Sequence, residues 1–350
     1  MLRFTRFPFA GVRSAALSLS AGVAALSLSW AGVAWAQGTG RSLDIQPGAR
    51  ENAMGIAGVA FLGDPSDAMW WNPAALGFAR MPSAQLTRAQ LVPEIADDVF
   101  YYHAAVAVPL KGFGGIGLSY TDLSYGRSEG RDEQGVPTGS FGSFERSPAA
   151  SVGVRVLPDL SLGATVKLIS IQLAPSALGG TASTVGFDLA ALYRAPFDPA
   201  TLSLGLRVQN LGPDVTFVNE DQASPLSRNI KVGGAVTVPA RLGDDFEAAA
   251  SAVLDFNRSL VTTDFITLGA GVEGYAGLTH VVRLSLRGGA YSDPAGQISD
   301  WTWGWGGRIV GLTLDWAWIP QARNSGLGHV MKFTGGFHLD DLLALLSKGT

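Results

Sequence analysis

Apolar residues alternate with small or polar residues along most of the chain from about residue 83 onward. In TLSLGLRVQ, residues 201–209, every even position is Leu or Val, whereas the odd positions hold Thr, Ser, Gly, Arg and Gln. The segments LSLGATVKL at 160–168 and HVVRLSLRG at 280–288 divide in a similar way. A period of two predicts β-strands with two different faces.

The residues on the polar face distinguish two architectures for these strands. A soluble antiparallel sandwich turns its polar face to water, whereas a transmembrane barrel turns its apolar face to lipid and its polar face to the lumen. Here the polar face holds mostly Gly, Ser, Thr and Ala, with isolated charges such as Lys231, rather than dense Lys, Glu and Asp. The pattern favours an all-β fold, a transmembrane antiparallel β-barrel of about 14 strands, with the sandwich as the alternative. The predicted strands begin near Ser83, Val99, Gly114, Ala149, Leu160, Thr184, Thr201, Asn229, Phe246, Ile266, Val281, Trp301, Gly311 and His329.

Composition agrees with a chain that faces lipid. Hydrophobic residues make up 47% of the 350 residues and charged residues only 15%, below the roughly 25% of soluble domains. Outside the N-terminus there is no apolar run of the roughly 20 residues that a membrane-spanning helix needs. Strands that span a bilayer must pair every backbone N–H and C=O, so the sheet is expected to close into a ring.

The first residues have the features of an export signal. Arg3, Arg6 and Arg13 precede an apolar run that closes on Ala-Trp-Ala at 34–36, which predicts a cleaved signal peptide over residues 1–36. A retained helical anchor is the alternative. Export predicts the outer membrane of a diderm bacterium as the location and outer-membrane lipid as a partner.

The sequence contains little that points to catalysis. The net charge of -4, without a basic block, argues against nucleic acid, and the absence of cysteine excludes thiolate metal sites. The 4 histidines show no metal-ligand spacing, and no Ser-His-Asp order is evident, so we predict no enzyme, no metal and no cofactor. Inward-facing charges could form a lumen network that fills the barrel or, less commonly, binds a ligand. The network candidates are Glu273, Arg283, Arg287 and Asp315.

Three segments carry a resemblance to a known family. Residues 48–79, GARENAMGIAGVAFLGDPSDAMWWNPAALGFA, resemble the N-terminal signature of the PorV/PorQ family of outer-membrane barrels. Residues 205–215 are similar to the family's Gln-Asn-Leu-Gly strand end, and residues 315–337 to its closing hairpin. Within that hairpin the family's Leu-Gly-x-x-His-Arg is shortened here to Leu-Gly-His-Val at 327–330, and the Arg is lost.

The resemblance implies a role for the segment GDPSDAMWWNPAALGF, residues 63–78, which places two tryptophans beside an Asn-Pro turn. Barrels of this family are similar to FadL, whose N-terminal segment lies in the lumen as a plug. Irregular backbone at membrane depth is tolerated where protein or water surrounds it. We expect Ser66 to cap a short helix over residues 67–71, and the segment to act as a gate or as a static plug. The gate candidates are Trp70, Trp71, Asn72 and Pro73.

The predicted organisation is a signal peptide at 1–36, a plug at 37–82, a barrel at 83–339 and a short tail at 340–350. The resemblance to PorV/PorQ implies an accessory barrel of type IX secretion, with secretion-system components or secreted cargo as partners. The similarity to FadL implies the alternative, a transporter that takes a hydrophobic ligand through a lateral gap in the wall. Family membership indicates location more strongly than role.

Overall fold

The computed structural model describes residues 39–241, 245–262, 266–322 and 328–339. The predicted signal peptide and the predicted tail lie outside these residues. The described residues contain fourteen strands. They are β1 Ser83–Gln90, β2 Phe100–Leu110, β3 Gly114–Arg131, β4 Pro137–Leu157, β5 Leu160–Gln172, β6 Thr181–Phe197, β7 Ala200–Leu211, β8 Asn229–Arg241, β9 Phe246–Ser259, β10 Ile266–Leu278, β11 Val282–Asp293, β12 Ile298–Ile309, β13 Leu312–Ile319 and β14 Val330–His338.

The strands form a closed antiparallel barrel, which confirms the predicted fold class. Each strand pairs with its neighbours in the chain, and β1 pairs with β14 to complete the ring. Within the described part of the chain, no helix has the length and hydropathy needed to cross a membrane. Closure leaves the sheet without a free edge, as the hydrocarbon region requires.

The two faces of each strand meet the environments that the alternation predicts. Leu284 and Leu286 are 68% and 73% exposed on the outer face of β11, whereas Arg287 is buried on the inner face. Trp301, the first aromatic of β12, is 71% exposed on the outside. An outer surface of Leu, Val and Trp without a second sheet to cover it is the lipid-facing surface of a transmembrane barrel, and it rules out the sandwich.

One predicted boundary is wrong. Strand β4 begins at Pro137 rather than near Ala149, because β3 and β4 continue as a hairpin past the strands beside them. The extension is largely exposed and holds charges such as Arg131. Alternation is required only where one face meets lipid, so it is lost in this projecting part.

The connections define two ends of the barrel. The turns between β2 and β3, β4 and β5, and β6 and β7 span two or three residues, and they lie at the same end as the start of β1 and the end of β14. We call this the short-turn end, and the opposite end the long-loop end. In bacterial barrels the short turns face the periplasm.

Residues 39–82 lie inside the ring, and we call them the plug. The plug contains helices α1, Ala49–Ala53, and α2, Pro65–Trp71. It also contains 3-10 helices Arg41–Leu43 and Pro73–Phe78; 3-10 helices Ser176–Leu178 and Glu220–Gln222 lie in loops. The predicted Ser66 cap is wrong: α2 begins at Pro65 after an extended Asp64, because the fixed φ of proline suits the first helical residue.

Candidate functional site

The plug's two tryptophans are buried in the lumen. Trp71 is 1% exposed and Trp70 is 8% exposed, and their rings meet edge to face at 5.2 Å. The guanidinium of Arg207 and the ammonium of Lys231 each lie 5.1 Å from the centre of the Trp70 ring. Arg207 also donates a hydrogen bond to the Trp70 carbonyl. Inward-facing cations of β7 and β8 therefore hold the two tryptophans through cation–π contacts and through hydrogen bonds from Arg207 to both of their carbonyls.

The other two gate candidates form the turn that follows α2. The Asn72 side chain accepts a hydrogen bond from the Ala74 nitrogen at 3.0 Å and donates to the Val59 carbonyl at 2.8 Å. Pro73 begins the 3-10 helix Pro73–Phe78. Asn72 thus ends one helix, caps the next and ties both to the preceding part of the plug. Whether this turn moves as a gate remains a prediction.

Three of the four network candidates meet in the lumen. Arg287 Nε lies 2.6 Å from Glu273 Oε2, and Arg287 Nη1 lies 2.5 Å from Asp315 Oδ1. A partner that the sequence did not suggest completes the group, because Arg50 of α1 places Nη2 2.5 Å from Glu273 Oε1. The network joins β10, β11 and β13 to the plug. Arg283 lies apart from it and pairs with Glu247 of β9.

A second buried ion cluster was missed from the sequence. Asp188 of β6 lies 2.5 Å from Arg207 Nη2 and 2.9 Å from Lys167 Nζ, and all three side chains are almost completely buried. Asp188 also accepts a hydrogen bond from the Asn210 nitrogen at 2.9 Å, where β7 bulges and Asn210 has a φ of 60°. In the sequence, each of these three residues is only an isolated charge on the polar face of a strand.

A buried pair of carboxyl groups connects α1 to α2. Glu51 is 1% exposed and Asp67 is 5% exposed. Burial, followed by the neighbouring charge of Asp67, raises the pKa of Glu51 well above its usual value. Burial also raises the pKa of Asp67, to which Gln85 donates a hydrogen bond at 3.2 Å. Both pKa values are raised, so this pair binds a proton more tightly in the folded plug than two exposed carboxyl groups would.

Glycines of the inner face allow the plug backbone to touch the wall. A Cβ on Gly163 of β5 would lie 2.2 Å from the Ala74 nitrogen, and one on Gly153 of β4 would lie 2.6 Å from the Gly77 nitrogen. A Cβ on Gly271 of β10 would lie 2.4 Å from the Met54 carbonyl carbon. Only the hydrogen of a glycine fits at these contacts. The glycines of the inner face therefore allow the plug backbone to pack directly against the strands.

Two cavities beside the plug differ in character. One, of about 20 Å³, is lined by polar residues that include Ser147, Thr165 and Lys167 and by the apolar Leu43, Met69 and Trp70, and it has room for about one water molecule. The other, of about 390 Å³, lies at the short-turn end and is lined by the plug residues Phe61, Asp64 and others together with strand residues.

The wall is interrupted beside the small cavity. Ser147 and Pro148 of β4 pair with Thr121 and Tyr120 of β3, but neither has a partner in the ladder between β4 and β5. The residues on both sides, Arg146 and Ala149, do pair with β5. Proline has no N–H to donate to a neighbouring strand. The interruption is therefore local, since pairing with β5 resumes on both sides of it.

These features define a plugged transmembrane β-barrel with a lipid-facing exterior. No protein-family model matches the chain, and no curated protein matches it in sequence. Solved structures of similar shape include a Pseudomonas aeruginosa FadL homologue, with 13% identity, a TM-score of 0.46, and coverage of 85% of this chain and 98% of the other. The Ralstonia pickettii toluene transporter TbuX has 16% identity and a TM-score of 0.46, with coverage of 83% and 98%. The Pseudomonas putida toluene transporter TodX has 13% identity and a TM-score of 0.47, with coverage of 87% and 98%.

The solved structures of similar shape thus include a FadL homologue and two toluene transporters. The resemblance to the PorV/PorQ family is not confirmed by a family model or by a related sequence. No comparison supports a component of type IX secretion.

Proposed function

We propose that this chain is an outer-membrane barrel that moves a hydrophobic small molecule between the lumen and the lipid through its wall. The observation that carries the proposal is the stretch Ser147–Pro148, which has no pairing with β5 and lies beside the small lumen cavity. The lumen itself is filled by the plug, so a straight axial path is blocked. A lateral path at Ser147–Pro148 would not have to break backbone pairing between β4 and β5 at these two residues.

The two sides of the unpaired stretch differ: apolar side chains surround it on the lipid side, and the small cavity lies behind it on the lumen side. Leu168 of β5 is 57% exposed and Tyr120 of β3 is 42% exposed on the lipid side. On the lumen side the cavity is lined by Ser147, Lys167 and Trp70. A small molecule that enters here meets the Trp70 ring, and a shift of the plug at Asn72–Pro73 would enlarge the space behind it.

The proposal includes a place in the cell. The signal peptide predicted over 1–36 and the lipid-facing wall both agree with export to the outer membrane of a diderm bacterium. Outer-membrane lipid is then the immediate partner, and the transported molecule is the second. The export role implied by the PorV/PorQ resemblance has no observation in its favour, and we do not adopt it.

Restoring the missing donor tests the proposal. Pro148→Val supplies an N–H that can pair with β5, and one backbone hydrogen bond of about 1 kcal/mol should lower the open population, and with it uptake, roughly fivefold. The measurement is uptake of radiolabelled toluene by cells that produce the full-length chain. Pro239→Val is the matched control, because Pro239 lies at the end of β8 and is paired with Ala249.

Two outcomes are decisive. Reduced uptake for the Pro148 variant alone supports a lateral path at this stretch. Equal uptake for both variants and the parent chain, or no uptake above that of cells without the barrel, contradicts the proposal.

A further inference from the structure

The large cavity at the short-turn end has an unusual lining. The lining includes four large apolar side chains of the plug, Phe61, Leu62, Phe78 and Met81. It also includes five arginines, which come from both the plug and the strands, and the carboxylate of Asp64. A volume of about 390 Å³ falls within the range of small-molecule sites.

The basic residues of this cavity divide into two groups. Three arginines have an acidic partner: Arg50 pairs with Glu273, Arg283 with Glu247 and Arg308 with Asp64. Burial raises the pKa of Asp64, but the charges of His338 and Arg308 outweigh burial and hold the pKa well below its usual value, so this carboxylate is ionised and engaged. Arg80 and Arg194 form no ion pair with any described residue.

A further arginine, Arg155, does not line the cavity but contacts the plug beside it. Arg155 donates from Nε to the Gly77 carbonyl at 3.2 Å, and its guanidinium lies 5.1 Å from the centre of the Phe78 ring. The positive charges of Arg80 and Arg155 both act on Arg194, and the charge of Asp159 opposes them. Arg80 and Arg155 are exposed and Arg194 is half-buried, so the three guanidinium groups are accessible to an anion at this mouth.

We propose that this mouth is a binding site for a phosphate-type group carried on an apolar body. Guanidinium groups bind phosphate oxygens through paired N–H donors, and several of them facing one space match a group with three or four oxygens better than a carboxylate with two. The apolar side chains of the same lining receive the body of the same molecule. Two sources share this chemistry: a phospholipid of the inner leaflet, and a soluble phosphate ester.

The site does not rest on the proposed transport function. Its residues lie at the short-turn end, whereas the unpaired stretch of the wall is flanked by Arg146 and Ala149 within β4. Binding at the mouth can be measured on a barrel that transports nothing, so failure of one proposal leaves the other standing.

Calorimetry on the purified full-length barrel in a neutral detergent tests the site. Hexyl phosphate should bind, and hexanol and inorganic phosphate should each bind at least roughly tenfold more weakly, because each lacks one half of the recognised chemistry. The double variant Arg80→Gln, Arg194→Gln should lose roughly tenfold or more of the affinity for hexyl phosphate. Arg131→Gln, at the tip of the projecting hairpin, should bind like the parent chain.

A folding check and a lipid arm complete the experiment. The charge-retaining double variant Arg80→Lys, Arg194→Lys should bind more tightly than the glutamine variant, and heat-modifiability on gels confirms that each barrel is folded. Native mass spectrometry after reconstitution with phosphatidylglycerol assigns the source: retained lipid that is lost in the glutamine variant indicates a lipid headgroup, and hexyl phosphate binding alone indicates a soluble ester. Equal affinity of the parent and the glutamine variant, or equal affinity for hexyl phosphate and hexanol, overturns the site.

Discussion

The plug is held by two contact zones that work by different physics. In the first, which we call the ionic zone, α1 meets β10 to β13 through Arg50, Glu273, Arg287 and Asp315. In the second, the close-packed zone, the 3-10 helix Pro73–Phe78 lies against β3 to β6 on glycines and other small residues. A polar inner face can therefore mean either a charge network or a surface shaped for a second backbone.

The two zones also differ in how they respond to change. An ion network in a low-dielectric lumen depends on every partner, because each charge left alone keeps its desolvation penalty. A close-packed contact depends on volume, since a single added methyl group meets backbone atoms that cannot retreat far. Substitutions in each zone separate these two mechanisms.

The largest effect is expected in the ionic zone. Glu273→Gln leaves Arg50 and Arg287 without their shared carboxylate, and the loss of one partner from a buried network should cost about 3–5 kcal/mol of unfolding free energy. Urea unfolding in detergent micelles, followed by tryptophan fluorescence, measures it. Glu129→Gln, which removes the exposed pair with Arg131, is the control and should leave the transition unchanged. A parent-like transition for the Glu273 variant would show that Asp315 alone balances the arginines.

A smaller effect is expected in the close-packed zone. Gly163→Val introduces a side chain whose Cβ alone would lie 2.2 Å from the Ala74 nitrogen, so the 3-10 helix must shift. This overpacking should lower the free energy of unfolding by about 1–3 kcal/mol. Limited proteolysis of the plug and single-channel conductance in planar bilayers should both increase. Gly274→Val adds the same side chain where nothing lies within 4 Å and should change neither. Unchanged protease resistance in the Gly163 variant would mean that the helix does not depend on this contact.

The smallest effect is a dependence on pH at the contact between α1, which belongs to the ionic zone, and α2, which leads into the close-packed zone. The pKa of Glu51 is raised above its ordinary value of 4.5 by burial and by Asp67, so the folded plug binds this proton more tightly than the unfolded chain does. The stability of the plug should therefore be highest at acid pH and should fall as pH rises above about 4.5, until the folded pKa is passed. Proteolysis rates measured across that range should increase with pH.

Glu51→Gln is the matched variant for this dependence. The amide keeps a donor for Asp67 and does not ionise, so its proteolysis rate should vary less with pH than that of the parent chain. If both chains show the same pH profile, the carboxyl pair does not contribute to holding α1 against α2.

Much of the barrel could be predicted because the signal is local. Ser83, Leu160, Asn229, Phe246 and Ile266 all begin strands where the alternation placed them. The prediction for β4 failed in the projecting hairpin, where neither face meets lipid and the period of two disappears. Alternation in the sequence indicates a strand whose two faces meet different environments. It cannot indicate a strand whose faces both meet water.

The site was predicted less completely, because its members come from distant parts of the chain. Glu273, Arg287 and Asp315 could be named as inward charges, but Arg50 could be added only once α1 was seen against β10. The prediction placed Arg283 in the network with Glu273, but in the structure Arg283 forms its ion pair with Glu247 of β9. Charge alone does not indicate which of several inward side chains will meet.

The amino-acid sequence by itself determined the sheet, the lipid-facing side of each strand and the presence of a breaker-rich segment with two large aromatics. These follow from the period of the side chains and from local backbone preference, which neighbouring residues decide. The tertiary structure alone decided which arginines share a carboxylate, which glycines contact the plug backbone and where two neighbouring strands of the wall lack backbone pairing. Those facts depend on strand register and on the closure of the ring, which bring residues such as Arg50 and Glu273 together across more than two hundred positions of chain.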